Sequence, residues 1–215
     1  MPRKNVALLG GVPLLVRVIL ALKESECFDA IIVSTDDLEI ADVATSAGAE
    51  VPRLRDSSLA DDFTATAPVV LDALSWLATT SQEVFVTYPT AVFLDSSLIS
   101  RLYDVFIRPD VEHAFFAAAV GAPVERTWKD DGLHWIPNRP DLFFARSQDL
   151  PRSYVDTGMG YWSTPDAWAE LDRQQIPKSS ALVVSRWDAV DIDTPEDLEL
   201  VRELFDFRRG NAHGS

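Results

Sequence analysis

Short β-rich apolar runs alternate with stretches of helical periodicity along most of this chain, and that alternation limits the folds open to it more than any other feature. Ala30–Ser34 (AIIVS) is apolar on both faces, as a strand inside a parallel sheet must be. Glu83–Tyr88 (EVFVTY) and Ala114–Val120 (AFFAAAV) read the same way, and Met159–Trp162 and Asp188–Ile192 are expected as a fourth and fifth strand. Between them lie helix patterns. One is an N-terminal helix with Leu15, Val18, Ile19 and Leu22 on one face and Arg17 and Lys23 off it. A second is capped by Asp36 or Asp37 and stopped by Gly48, a third spans Thr66 to Leu77 with Pro68 in its first turn, and a fourth spans Asp95 to Ile107. Strands that alternate with helices pack as an α/β fold with a mostly parallel sheet. A length of 215 residues suits one domain, 1–215.

The stretch from Pro123 to Pro151 breaks the pattern, within an expected inserted arm of 123–162. Four prolines (Pro123, Pro137, Pro140, Pro151) interrupt a mixed polar and aromatic stretch, and Trp128, Trp135, Leu142, Phe143 and Phe144 demand burial. An inserted arm that contacts a second copy of the chain satisfies that demand. Gly10-Gly11 is too small a signal for a phosphate loop, so the usual opening strand and phosphate-binding turn of such a domain are not visible before the first helix. The tail from Arg208 onward is expected to fray.

Charge narrows the functional classes. The net charge is −15, which argues against a nucleic-acid binder or a protein that docks on anionic membranes, since both need a cationic surface. No run reaches the apolar length of a transmembrane helix. A single Cys, Cys27, allows no intrachain disulfide and fits a reducing, cytoplasmic setting. The three His residues show no metal or triad spacing, and no serine sits in a nucleophile elbow.

The acidic segment DAVDIDTPEDLEL divides into two parts. Thr194 is an N-cap, Pro195 the first helical residue, and Glu196 and Asp197 favour the positive end of the helix, Asp197 completing a capping box. Asp191 and Asp193 are different. In extended chain they point the same way, and two carboxylates at the C-terminal edge of a sheet repel unless a cation lies between them. A hard divalent ion such as Mg²⁺ is one answer; a helix cap beside a solvated carboxylate is the other, and spacing alone leaves both open.

Pro2–Asn5 (PRKN), Ile31–Arg55, Leu59–Leu74, Tyr88–Leu94 and Asp191–Glu199 together, in order, resemble the cytidylyltransferases that activate nonulosonic, sialic-acid-like sugars as CMP derivatives. Arg146–Leu150 (RSQDL) followed by Tyr154–Trp162 (YVDTGMGYW) is most similar to the pseudaminic acid branch. The resemblance implies a Rossmann-like nucleotide-diphospho-sugar transferase fold with an inserted dimerisation arm, CTP and Mg²⁺ as reactants, and a homodimer. It also implies attack of the sugar's anomeric hydroxyl on the α-phosphorus of CTP, with release of pyrophosphate, in surface glycan biosynthesis. By the same resemblance Asp191 and Asp193 hold Mg²⁺ and act as the catalytic pair. Arg3, Asn5, Arg55, Thr64, Thr66, Tyr88 and Thr90 surround the nucleotide, and Arg126, Arg146, Gln148, Asp156 and Tyr161 face the sugar acid. Bland roles stand beside several of these: Thr66 as a helix cap, Arg55 in an ion pair near Asp56, Arg146 paired with Asp149.

The chain also departs from the family pattern. The family opens with a strand and a basic glycine-containing loop ending in the PRKN-like stretch, whereas Met1 directly precedes that stretch here, so an N-terminally truncated domain is expected. Val92 stands where the family often has Pro, and Val155, Met159 and Gly160 replace the more usual His, Gln and Phe. Two further readings follow. One is a weak or dead homologue serving as a binding or dimerisation module; the other is a sugar nucleotidyltransferase using another base.

Overall fold

The computed structural model describes residues 1, 3–61, 63–77 and 83–212. A two-residue hairpin, β1 (Leu8–Leu9) and β2 (Val12–Pro13), opens the chain. Its turn is Gly10-Gly11, both at positive φ (56° and 80°), the backbone that a tight hairpin turn requires. Arg17 closes the hairpin by donating from Nε to the Leu9 carbonyl at 2.8 Å, and its guanidinium stacks over Phe205. These two glycines therefore make a turn, as their number suggested, and not a phosphate cradle.

Helix α1 (Leu14–Glu24) buries Leu14, Leu15, Val18, Ile19 and Ala21. Helix α2 (Leu38–Ser46) is capped by Asp37, whose carboxylate accepts from the amides of Glu39 and Ile40. Helix α3 (Thr66–Ser75) leads to β3 (Val84–Val86), and α4 (Ser96–Phe106) starts from the Asp95 cap. Then come β4 (His113–Ala119), the small arm hairpin β5 (Trp128–Asp130) and β6 (Trp135–Pro137), and the long strand β7 (Tyr154–Ser163). Helix α5 (Pro165–Asp172), β8 (Ser179–Val184) and α6 (Pro195–Ala212) complete the order.

The main sheet runs β3-β7-β4-β8. β4 and β8 are parallel, and β7 lies antiparallel between β3 and β4. Three strands thus share one direction, and the fourth-strand expectation at Met159–Trp162 grows into a reversed central strand. Period-two alternation sorts the side chains. Phe85, Ala114, Phe116 and Trp162 face α1 and α4, where Trp162 stacks with Phe28 at 5.2 Å and lies 5.1 Å from Phe85. Val84, Val86 and Tyr161 face α3 and α5, packed on Ala67, Val70 and Trp168. The result is a helix–sheet–helix sandwich.

Four expectations need correction. Ala30–Ser34 forms no sheet strand: only Ile32 pairs, parallel with Glu50, although Ile31 and Val33 pack into the α1–α2 cluster as apolar residues should. Asp188–Ile192 forms no ladder either; its one fully buried side chain, Ile192, plugs a cluster with Leu9, Leu14, Phe93, Leu198 and Val201. The strand beside β4 is instead Ser179–Val184. The chain from Arg208 to Ala212 is helical rather than frayed, with the Arg208 guanidinium 2.6 Å from Asp188 and stacked over Phe93. Tyr154–Tyr161, counted with the arm in the reading of 123–162, lies in the main sheet. The arm's own hairpin leaves Trp128, Leu133, Trp135 and Phe144 exposed, with Trp128 edge-on to Phe143 at 4.8 Å. Among the described residues no helix is long and apolar enough to cross a membrane.

Candidate active site

Strand β7 carries the densest part of the site. Its register against β4 is regular from Ser163 to Tyr161 and resumes at Asp156 opposite Ala117, so residues 157–160 bulge out of the ladder. Two threonines pin the bulge: Thr157 donates its hydroxyl to the Phe116 carbonyl at 3.0 Å, and Thr87 donates to the Met159 carbonyl at 2.6 Å. Gly158 sits at φ 67° and donates its amide to Asp156 Oδ1 at 2.9 Å. Gly160 must be glycine, because a Cβ there would lie 2.6 Å from Phe85 Cζ and 3.3 Å from the Val86 carbonyl oxygen.

This bulge brings sequence-distant groups together. Tyr161 donates its hydroxyl to Asp156 Oδ2 at 3.0 Å and meets the ring of Tyr88 edge-on at 6.4 Å. Tyr88, just past β3, shares a hydrogen bond with the Thr66 hydroxyl. Burial raises the Tyr88 pKa, and the charges of Asp156 and Asp191 raise it further against the opposing Thr66 bond. Burial and the Asp156 and Asp191 charges likewise push Tyr161 far up, so both phenols remain neutral donors across the accessible pH range. Thr66, Tyr88, Tyr161 and Asp156 therefore form one cluster at the C-terminal end of β3, within electrostatic reach of Asp191. Thr90 is buried in the turn that follows Tyr88.

A second cluster surrounds the acidic loop. Asp191 and Asp193 are both exposed on either side of buried Ile192, which keeps the two carboxylates on the solvent side. Asp191 Oδ1 accepts from the Ile192 amide at 2.8 Å. The cation beside Asp193 is Lys4: its ammonium lies 2.8 Å from Asp193 Oδ1 and donates to the Ile192 carbonyl at 3.0 Å. The Met1 amino group donates to the Asp193 carbonyl at 2.9 Å. Lys4 belongs to the quoted PRKN stretch but was not singled out as a site residue; its cationic type beside two carboxylates was the available signal. Below it, Thr194 and Asp197 form the expected capping box, the Asp197 amide donating to Thr194 Oγ1 at 3.2 Å and the Thr194 amide to Asp197 Oδ2 at 2.8 Å. These bonds hold the Asp197 carboxyl below its ordinary pKa.

A third group lies by the loop after Val33. Arg55 donates its main-chain amide to the Thr35 carbonyl at 2.8 Å, and its guanidinium reaches Asp36 at only 3.5 Å. Its Nε is buried without a partner, as is the Ser34 hydroxyl. Buried donors of this kind are met by water or by a polar ligand.

The remaining expected residues are engaged elsewhere. Arg3 pairs with Glu39 on α2, and Asn5 is half-buried in the turn Lys4–Val6. Thr64 donates both amide and hydroxyl to Asp61, whose carboxyl is held low by those bonds. In the arm, Arg126 donates to the Ser147 hydroxyl at 2.9 Å, Arg146 forms a two-pronged pair with Asp149, and Gln148 is exposed between them.

Comparison with known proteins gives the family and the fold. The family model for cytidylyltransferases matches residues 1–205. The pseudaminic acid cytidylyltransferase of Campylobacter jejuni is 33% identical over 217 residues, covering 98% of this chain and 93% of that protein. The CMP-N,N'-diacetyllegionaminic acid synthase of Legionella pneumophila is 30% identical over 228 residues, covering 97% and 92%. Among solved structures, CMP:2-keto-3-deoxy-manno-octonic acid synthetase complexed with CTP superposes with a TM-score of 0.71 at 13% identity, over 97% of this chain and 93% of that one, which establishes the fold. The chain belongs to the cytidylyltransferase family.

Proposed function

We propose that this enzyme transfers CMP from CTP to the anomeric hydroxyl of a nonulosonic acid, most like pseudaminic acid, releasing pyrophosphate for surface glycan assembly. The observation that carries the reading is the convergence of Thr66, Tyr88, Asp156 and Tyr161 at one sheet edge, within reach of the Asp191 charge. The new bond joins the anomeric oxygen to the α-phosphorus, the α–β phosphoanhydride bond breaks, and the hydroxyl proton leaves to a base. Such a transfer needs in-line placement and charge neutralisation more than covalent help.

The residues take roles from their surroundings. The unpartnered Arg55 Nε and Ser34 hydroxyl offer donors to the nucleotide. Asp156 and Tyr161 offer an acceptor and a neutral donor to sugar hydroxyls, and Arg126 and Arg146 supply cations for the sugar carboxylate, Arg146 after exchanging Asp149 for it. Lys4 lies where a phosphate oxygen or the attacking hydroxyl would meet Asp193.

Asp191 and Asp193 are the residues that would hold a hard divalent ion: both are exposed carboxylates flanking buried Ile192, and two such oxygens plus substrate phosphates would make an Mg²⁺ shell. Among the described residues no cluster of three or more His, Cys, Asp or Glu side chains is poised for a metal, so phosphate oxygens have to complete the set. The ion would neutralise charge on the triphosphate and pyrophosphate.

The exposed Trp128, Leu133, Trp135 and Phe144 support a homodimer through the arm. Cytoplasmic placement follows from the need for CTP. Incubation with CTP, Mg²⁺ and pseudaminic or a related nonulosonic acid should yield the CMP-sugar and stoichiometric pyrophosphate. Thermal shift should favour CTP over GTP and UTP. Turnover with another nucleotide and none with CTP would overturn the reading.

A further inference from the structure

We propose that His113 is a positioning residue for the sugar-acid side of the site: its ring sets the orientation of Tyr161, and through it the hydroxyl that meets Asp156. The role rests on the cytidyl-transfer reading for its consequence, but its geometry stands alone. His113 opens β4 directly opposite Ser163 of β7, so its ring lies on the same face as Tyr161, two residues earlier on that strand. The imidazole is buried and stacks on Tyr161 at 5.6 Å and 24°. Phe115 stacks on the same imidazole at 6.0 Å, and Trp168 of α5 meets both His113 and Tyr161 edge-on, at 5.8 and 6.0 Å.

The ring is also locked in rotation. The fully buried Ser163 hydroxyl donates to the Glu112 carbonyl at 3.3 Å, so it accepts from His113 Nδ1–H at 3.1 Å. That assigns the proton of the neutral imidazole to Nδ1. Burial lowers the His113 pKa, with the Asp156 charge opposing, so the ring is neutral at pH 7. The charged or titratable groups facing it are Asp156 and Tyr161 of β7; Ser163, Phe115 and Trp168 are uncharged. An imidazolium here would draw the Asp156 carboxylate away from the Tyr161 hydroxyl. His113 therefore acts first on the sugar-acid side, through Tyr161 and Asp156; Tyr88, a candidate CTP contact, meets only the far edge of the Tyr161 ring at 6.4 Å.

The test compares wild type, His113→Ala and His113→Phe. The expected result is a roughly tenfold rise in KM for the sugar acid in His113→Ala. KM for CTP should stay within about twofold, and His113→Phe, which restores a stacking ring, should recover most of the loss. In wild type the sugar-acid KM should also rise as pH falls below the ordinary histidine value of about 6.5, and His113→Phe should lack that rise. An unchanged sugar-acid KM in His113→Ala, or an equal loss toward both substrates, would overturn the assignment. Wild-type enzyme with no CMP-sugar product would instead sink the cytidyl-transfer reading. In that case ring NMR of labelled Tyr161 still decides: a single fixed ring in wild type and an averaged one in His113→Ala supports the positioning role, and no difference ends it.

Discussion

The two acidic corners of the site are built in opposite ways. Asp156 stands on a pinned bulge within the main sheet, and both of its oxygens accept hydrogen bonds, from the Gly158 amide and the Tyr161 hydroxyl. Asp191 and Asp193 stand on extended chain with no ladder, secured by one buried side chain, one lysine and the helix cap below. The first corner is pre-organised by main-chain bonds and suits recognition of a fixed pattern of hydroxyls. The second keeps carboxylate oxygens open to solvent and suits a charge that arrives with the substrate. Under the proposed function, local bonding would separate a recognition element from a charge-handling one.

Removing charge from the open corner should do the most damage. Asp191→Asn keeps the shape of the loop and loses one anionic oxygen, and it should lower kcat roughly a hundredfold or more, with thermal stability hardly changed. Steady-state pyrophosphate release and a melting curve check both halves. The same exchange at Asp193 should be milder, since Lys4 already neutralises that carboxylate. An equal loss at both positions would erase the distinction drawn within this corner.

The anchor of the open corner comes next. Ile192 is fully buried among Leu9, Leu14, Phe93, Leu198 and Val201, so Ile192→Ala should cost about 2–5 kcal/mol, read from urea unfolding. Activity measured on the fraction still folded should fall as well, because Ile192 is the one buried side chain between the two aspartates, and Lys4 and the helix cap hold only the Asp193 side. On the pinned side, Gly160→Ala should cost about 1–3 kcal/mol by driving a methyl group into Phe85, which cannot retreat from its stack with Phe28 and Trp162. Here Asp156 remains bonded, so catalytic loss should be smaller than the stability loss implies. The reverse ranking of the two variants would mean that the bulge, not the loop, is the fragile half.

How much of this was legible in the sequence follows the same division. Caps are local, and they could be read: Asp37, Thr194 and Asp197 sit where a side-chain oxygen meets the first free amides of a helix. β4 and the core of β3 were readable from continuous apolar runs. The direction of β7 was not, because antiparallel and parallel strands of similar composition differ only in partners far away in sequence. Ala30–Ser34 has the composition of a strand, but a strand needs a neighbour, and only Glu50 serves. In Asp188–Ile192 the apolar residues signalled a strand, whereas Ile192 acts as a single plug. For the site, Thr66 and Tyr88, expected at the nucleotide, and Asp156 and Tyr161, expected at the sugar, lie beside one another, while Arg3, Thr64 and Arg146 bond to nearby carboxylates. In a chain with a net charge of −15, an exposed arginine readily finds an acid, and no spacing rule tells which.

The smallest expected effect tests the pinned corner by pH. The folded-state pKa of His113 is lowered by burial, so the unfolded chain takes up the proton first as pH falls. Above the ordinary histidine value of about 6.5 both states are neutral there and the group adds no pH dependence. Below it the unfolded state binds more protons, and stability declines until the folded ring also titrates. His113→Phe removes this contribution, so the stability gap between wild type and variant should be flat above neutrality and shift in favour of the variant as pH drops toward 5. Urea midpoints across that range provide the measurement. A gap that stayed constant would mean that the ring is no harder to protonate in the folded protein. The pinned corner would then be as open to water as the acidic loop, and the contrast between them would fail at its most buried point.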